Sequence, residues 1–227
     1  FDDTRGTLFF DIARVAKIHQ PKVILLENVK GLIGHESGKT FNIILDVLTK
    51  DLNYHIQYKV INTAKYANIP QNRERIYIVA TKKKVDNVFP EEVKLTKTIA
   101  DIIFHEKQDD KYYYNQHRYY PQLQTEITKK DTVYQWRRHY VRENKNNLCP
   151  TLTANMGTGG HNVPLIKDDF GIRKLTPQEC LLFQGFDKTF TFPDLPESQK
   201  YKQVGNSISV PIATVIIKNI LHKLYHE

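Results

Sequence analysis

The first third of the chain switches repeatedly between helical and strand-like spacing of its apolar residues, and a chain that does so folds as an α/β sheet. Over residues 3–18, Leu8, Ile12 and Val15 share one helical face, with Asp2, Asp3 or Thr4 available as the N-cap and Pro21 as the stop. Val23-Ile24-Leu25-Leu26 reads as a short, fully buried strand, the sort found in a parallel sheet covered on both faces. Phe41, Ile44, Leu45 and Leu48 restore helical spacing over residues 40–52, and two more strands are expected near 55–61 and 75–81. After Lys82-Lys83-Lys84 the alternation stops. From about 85 to 169 the chain is irregular, polar and rich in Tyr, Lys and Arg, which marks a second domain or a long insertion. Regular spacing returns with a helix opened by Thr176-Pro177, a cap followed by proline at the first helical position. Over residues 210–224 a last helix carries Ile212, Ile216, Ile220 and Leu224 in one stripe. The expected division is an α/β sheet over 1–85, a smaller, mostly β domain over 86–198, and a return to the first domain over 199–227.

Composition narrows the class of protein. With 227 residues, 40% hydrophobic and 26% charged, there is enough apolar mass for a core. A net charge of +8 and a pI near 9.3 are the electrostatic footprint of a polyanion binder. Two cysteines, Cys149 and Cys180, argue against a disulfide framework and for a reducing compartment, and no His/Cys spacing resembles a zinc site. No apolar run approaches the roughly 18–20 residues of a membrane span, and the N-terminus is not a signal peptide. The chain opens on Phe1 rather than Met, so a preceding portion is expected.

Three short segments could carry chemistry. Glu27-Asn28-Val29 follows the first strand, and in open α/β sheets ligands bind beyond the carboxyl ends of strands. An ion-paired or helix-capping glutamate explains the same residues. Gln71, Arg73 and Arg75 alternate, so in a strand all three point one way, suiting a phosphate or a base carbonyl; a solvated strand end is the plain alternative. Gly205-Asn206-Ser207 precedes the last helix, where Gly205 permits a tight turn and either polar residue can cap or hold a ligand. Gly34-His35-Glu36-Ser37-Gly38-Lys39-Thr40 imitates a phosphate-binding loop but is one residue short between its glycines, and it is rejected.

In this order and spacing, these segments resemble the DNA (cytosine-5)-methyltransferase family, bacterial modification enzymes in particular. Residues 3–9 (Asp-Thr-Arg-Gly-Thr-Leu-Phe) look like the segment after the family's catalytic loop. Glu27-Asn28-Val29 matches its Glu-Asn-Val motif, Gln71, Arg73 and Arg75 its Gln-x-Arg-x-Arg motif, and Gly205-Asn206-Ser207 its final motif. The segment from Arg173 to Cys180 resembles the close of its recognition domain.

The resemblance implies a Rossmann-like S-adenosylmethionine-dependent sheet, incomplete because its N-terminal part is absent, with an irregular target-recognition domain. It implies methyl transfer to C5 of a flipped cytosine in a specific duplex DNA sequence, in restriction–modification, in a bacterial cytoplasm. In that chemistry a thiolate adds to C6 and the resulting enamine attacks the methyl sulfonium. Glu27, its pKa lifted by a dry pocket from about 4.3, would protonate N3. Arg75, with Arg73 behind it, would bind O2 and steady Glu27, and Asn28 would position backbone. Leu8, Asn206 and Ser207 would line the cofactor pocket. The DNA-binding set would be Arg137, Arg138, Thr151, Thr153, Asn155, Gly159 and Gly160, supported by the aromatic-basic clusters at 112–120 and 136–139.

The family's glycine-rich cofactor loop and Pro-Cys nucleophile should precede Phe1. Cys149-Pro150 has the order reversed, and Cys180 falls on a helix, so neither suits a nucleophile. The expectation is a chain inactive alone and completed by the missing N-terminal portion, in the same polypeptide or a separate subunit. An inactive DNA-binding remnant and an RNA-directed enzyme are the alternatives.

Overall fold

The structure is a computed structural model that describes residues 4–137, 140–144, 146–157 and 162–225. Helix α1 (Thr4–His19) leads into β1 (Val23–Val29), and helix α2 (Lys39–Asp46) leads into β2 (His55–Asn62). A single turn, α3 (Thr63–Tyr66), and the two-residue β3 (Gln71–Asn72) precede β4 (Glu74–Thr81). The irregular stretch holds α4 (Tyr120–Glu126), β5 (Tyr134–Arg137), β6 (Tyr140–Glu143), β7 (Cys149–Pro150), β8 (Val163–Lys167) and β9 (Ile172–Lys174). Three helices close the chain: α5 (Pro177–Gln184), α6 (Glu197–Asn206) and α7 (Val210–Tyr225).

Two compact units divide these elements, one made of Phe1–Ile61, Glu74–Glu91 and Thr214–Glu227, the other of Asn62–Arg73 and Glu92–Ala213. The boundaries differ from those expected. Residues 62–73 leave the sheet unit, and 199–213 stay with the second unit.

In the first unit, β4 lies between β1 and β2. The β1–β4 pair is antiparallel, with Glu27 opposite Tyr77 and Val29 opposite Arg75, which corrects the parallel strand expected at 23–26. Nor is β1 buried throughout: Ile24 is buried, while Leu25, Leu26 and Glu27 are half-buried and Asn28 and Val29 exposed. The central strand β4 is the buried one, with Ile76, Tyr77, Ile78, Val79 and Ala80 all sealed. Phe41, Ile44 and Leu48 of the second helical segment pack into this core. Helix α1 contributes Phe9, Ala13 and Ala16 rather than the expected stripe; Leu8, Ile12 and Val15 remain exposed. The two stripes are one residue apart, about 100° around the helix.

The second unit has a core built on Ile99, Val133, Leu152, Ile166, Phe183 and Val204. Its sheet runs β6-β5-β8-β9, antiparallel throughout. Helix α5 begins where its sequence says it should. Thr176 Oγ1 accepts from the Glu179 amide, and Glu179 Oε2 accepts from the Thr176 amide, a reciprocal cap. Glu179 also binds the fully buried Arg173 at 2.8 Å, and Arg173 holds Asp168 at 2.8 Å. The cation is thus satisfied where it is sealed from water. Ile212, Ile216 and Ile220 of α7 are buried as expected. Residues Glu197–Tyr225 are together long and apolar enough to cross a membrane by length and composition. They break at 207–209, and a core helix with a buried stripe passes the same test.

Candidate functional site

The first unit brings Glu27 and Arg75 together at the carboxyl end of β1. Because Glu27 faces Tyr77 and Arg75 faces Val29, the two side chains are diagonal neighbours on one face of the sheet. Arg75 Nε lies 3.2 Å from Glu27 Oε1, with 14% and 20% of the two side chains exposed. The pair is accessible at the strand ends yet shielded enough for its charges to act strongly. Glu27 therefore sits in an ion pair with Arg75. Asn28 turns its side chain back so that Oδ1 accepts from the Val29 amide at 2.8 Å, shaping the chain as it leaves β1. Beside them Lys30 pairs with Glu74 at 3.1 Å. Leu8 belongs to this unit and is 61% exposed.

Arg73 is elsewhere, and its role is different. The alternation expected across Gln71, Arg73 and Arg75 breaks at Arg73, because β3 pairs in parallel with β7 while β4 joins the other sheet. Arg73 is 2% exposed. Its Nη1 donates to the Leu152 carbonyl at 3.1 Å, and its Nη2 donates to those of Gly205 and Ser207 at 3.4 and 2.7 Å. Sealed in this way, the Arg73 guanidinium is engaged by backbone carbonyls of its own unit. It ties together the 151–155 loop and the α6–α7 junction. Gln71 is equally internal, donating to the Phe183 carbonyl at 2.7 Å.

At that junction Asn206 is exposed and Ser207 half-buried, with Ser207 Oγ donating to the Val204 carbonyl at 2.8 Å. Ser209, next to the start of α7, is 1% exposed, and its Oγ has no hydrogen-bond partner among the described residues. An orphaned hydroxyl, an exposed amide and a helix N-terminus fit the carboxylate or hydroxyls of a polar ligand such as S-adenosylmethionine. Gly205 lets this junction approach the 151–155 loop, since a Cβ there would stand 2.2 Å from the Thr153 carbonyl carbon.

The expected DNA-binding residues gather around a second feature of the same unit, a cavity of about 270 Å³. Arg137, Thr151 and Thr153 line it, joined by Gln135, Arg142 and Asn162, which the sequence reading missed. Among the described residues no carboxylate lines it. Thr151 Oγ1 donates to the Asn72 carbonyl at 2.7 Å and Thr153 Oγ1 to Asn155 Oδ1 at 2.7 Å; Asn155 itself is exposed. Arg138, Gly159 and Gly160 lie outside the described residues. The missed residues carried a signal in the spacing of Gln135 and Arg137, which puts both on one face of a strand. The tyrosines expected to grip a polyanion are partly spoken for. Tyr112 donates to Glu197 at 2.7 Å, Tyr113 to Asp168 at 2.9 Å, and Tyr114 packs edge-on against Trp136.

Both cysteines are fully buried. Burial pushes the thiols of Cys149 and Cys180 well above their ordinary range, so neither offers a thiolate near neutral pH. Among the described residues no cluster of His, Cys, Asp or Glu could hold a metal ion.

A family model described as C-5 cytosine-specific DNA methylase matches residues 1–222. Type II methyltransferase M.Bsp6I of Bacillus sp. (strain RFL6) is 51% identical over 226 residues, covering 96% of this chain and 71% of the relative. Type II methyltransferase M.SsoII of Shigella sonnei is 38% identical, over 99% of this chain and 59% of the relative. A crystal structure of the S. pombe Dnmt2 methyltransferase shares the fold with a TM-score of 0.70 at 20% identity, over 96% of this chain and 72% of that one.

Proposed function

The chain belongs to the C-5 cytosine-specific DNA methylase family, the DNA (cytosine-5)-methyltransferases that use S-adenosylmethionine, and on that premise we propose how its residues divide the work. Glu27 and Arg75 form the face that receives the flipped cytosine. Negative charge builds on the ring as a thiolate adds to C6. Glu27, taking up a proton from solvent as the bound base displaces it from Arg75, delivers that proton to N3 to neutralise the charge, and Arg75 donates to O2. Their present ion pair holds both groups at the rim of the sheet, where a base can take over part of the guanidinium's hydrogen bonding. Asn28 acts through the backbone it braces. Arg73 is a tether and takes no part in binding the base.

S-adenosylmethionine supplies the electrophilic methyl group when bound. Asn206 and Ser207, with the orphaned hydroxyl of Ser209, are the polar contacts available to it in the second unit. Leu8, an exposed side chain of the first unit, is assigned to the cofactor from the family pattern alone. Arg137, Thr151, Thr153 and Asn155 hold the duplex, with Arg138, Gly159 and Gly160 assigned alongside them from the family pattern. Extruding a base costs a few kcal/mol, so a grip of this size is required.

The nucleophilic thiol comes from outside these 227 residues, because both cysteines here are sealed in the apolar core of the second unit. The portion that carries it is the N-terminal part of the same polypeptide or a separate subunit. Two features of the first unit support a docking surface for it. Strand β1 ends the sheet order, leaving one of its edges without a strand among the described residues. Helix α1 exposes Leu8, Ile12, Val15 and Ile18 in one stripe. The setting is bacterial restriction–modification in the cytoplasm. The relatives at 51% and 38% identity, both Type II methyltransferases, favour DNA over RNA as substrate.

The Glu27–Arg75 pair carries this reading, and labelled methyl transfer to duplex DNA tests it. The chain joined to an N-terminal portion bearing the thiol should transfer methyl groups, and Glu27→Gln should lower the rate by at least about a hundredfold while leaving DNA binding intact. Full activity in E27Q would end the assignment. No transfer by the completed wild-type protein would favour the inactive-remnant reading.

A further inference from the structure

The hairpin of β5 and β6 has two unlike faces. Tyr134, Trp136 and Val141 point into an apolar cluster with Leu123 and Ile127. The alternating residues Gln135, Arg137 and Arg142 face the 270 Å³ cavity. Gln135 is only 6% exposed, and its Oε1 accepts from Arg137 Nε at 3.1 Å. A guanidinium is planar, so a bond that fixes Nε fixes the whole plane and leaves the Nη pair as a set fork. Arg142 stands opposite Gln135 in the register, exposed and with no partner among the described residues. Asn162 precedes Val163, the residue paired with Trp136, so the register carries it across from Arg137. Its Oδ1 is buried in the cavity wall and has no partner among the described residues.

An orphaned acceptor beside a fixed donor fork does not suit a phosphate, which presents only acceptors. It suits a base pair. Guanine offers O6 and N7 to a bidentate arginine in the major groove, and its cytosine partner offers the N4 amine to an acceptor.

We propose that Gln135 is a positioning residue that sets Arg137 to read a guanine, with Asn162 Oδ1 accepting from the N4 amine of the paired cytosine. Arg142, untethered, grips phosphate. This inference rests on the DNA-methylase reading and adds to it one G·C pair of the target and the residues that select it.

The test is binding of the full chain to a pool of duplexes with a randomised core, followed by sequencing of the retained molecules. Wild type should retain a motif with an invariant G·C pair. Gln135→Ala should lose roughly ten- to a hundredfold of the preference at that pair alone, and Gln135→Glu, which keeps the acceptor, should restore it. Arg137→Lys, which lacks the fork, should lose the same pair in a protein whose buried glutamine is untouched. Arg142→Ala should weaken all duplexes alike and lower the salt slope by about one. The proposal is overturned if wild type retains no G·C pair, if Q135A and R137K weaken every duplex equally, or if Q135E behaves as Q135A. Base preference is read here without methyl transfer, so failure leaves the catalytic assignment to its own assay.

Discussion

Replacing Arg73 with methionine separates a structural arginine from the one, two residues away, proposed to bind substrate. Methionine keeps much of the buried volume and removes the fork. Two of the hydrogen bonds Arg73 donates are short, at 3.1 Å to Leu152 and 2.7 Å to Ser207, and the third, to Gly205, is marginal at 3.4 Å. Hydrogen bonds from a charged donor contribute about 1.5–3 kcal/mol each, so the two short ones give about 3–6 kcal/mol. That is a large share of a typical folding stability of about 5–15 kcal/mol. Trp136, the single tryptophan, lies in the unit that Arg73 ties together, so its fluorescence in urea follows the relevant transition. With a slope of about 2–3 kcal/mol per molar urea, R73M should lower the midpoint by about 1–3 M. Arg75→Met should leave that midpoint unchanged, since Arg75 belongs to the other unit, and should abolish methyl transfer in the completed enzyme. The reasoning fails if R73M melts like wild type. It fails equally if R75M shifts the Trp136 transition as far as R73M does.

Two further outcomes follow from the same unit. Gly205→Ala places a Cβ 2.2 Å from the Thr153 carbonyl carbon and 2.3 Å from the Ala154 amide nitrogen, both backbone atoms, so the Trp136 transition should lose at least about 2 kcal/mol; a wild-type midpoint would show that the loop yields freely. Burial pushes the Glu197 carboxyl upward, but hydrogen bonds from Tyr112 and Lys200 and the charge of Lys111 outweigh it and hold the group below its ordinary 4.5. A depressed carboxylate contributes stability that is present above the ordinary value and lost as pH falls through the folded one. Tyr112→Phe should therefore flatten the loss of urea resistance below about pH 4.5, and an unchanged acid slope would count against the pairing.

How much of this was legible in the sequence depends on how far each signal reached. Local signals read well. The Thr176–Glu179 cap, the α7 stripe and the strand ends near 55–61 and 75–81 all follow from residues a few positions apart, and the structure places them as expected. The α1 face did not, because Phe9, Ala13 and Ala16 form as regular a stripe as Leu8, Ile12 and Val15. Spacing alone cannot say which stripe meets the sheet. The arginines show the deeper limit. Period-two alternation assumes one continuous strand, and the assumption holds only if the partner strands are continuous too. Here Gln71 pairs with Cys149, while Arg75 pairs with Val29, so the chain changes sheets at Arg73. The partners lie far away in sequence on either side, beyond any local pattern. One motif therefore leaves one arginine in an ion pair at a strand end and buries the other among three carbonyls. The same division explains why Glu27 and Arg75 can present a small, exchangeable ion pair at a strand end. The backbone carbonyls of the 151–155 loop and the α6–α7 junction are held by Arg73, while Arg75 engages Glu27 and the Glu74 carbonyl.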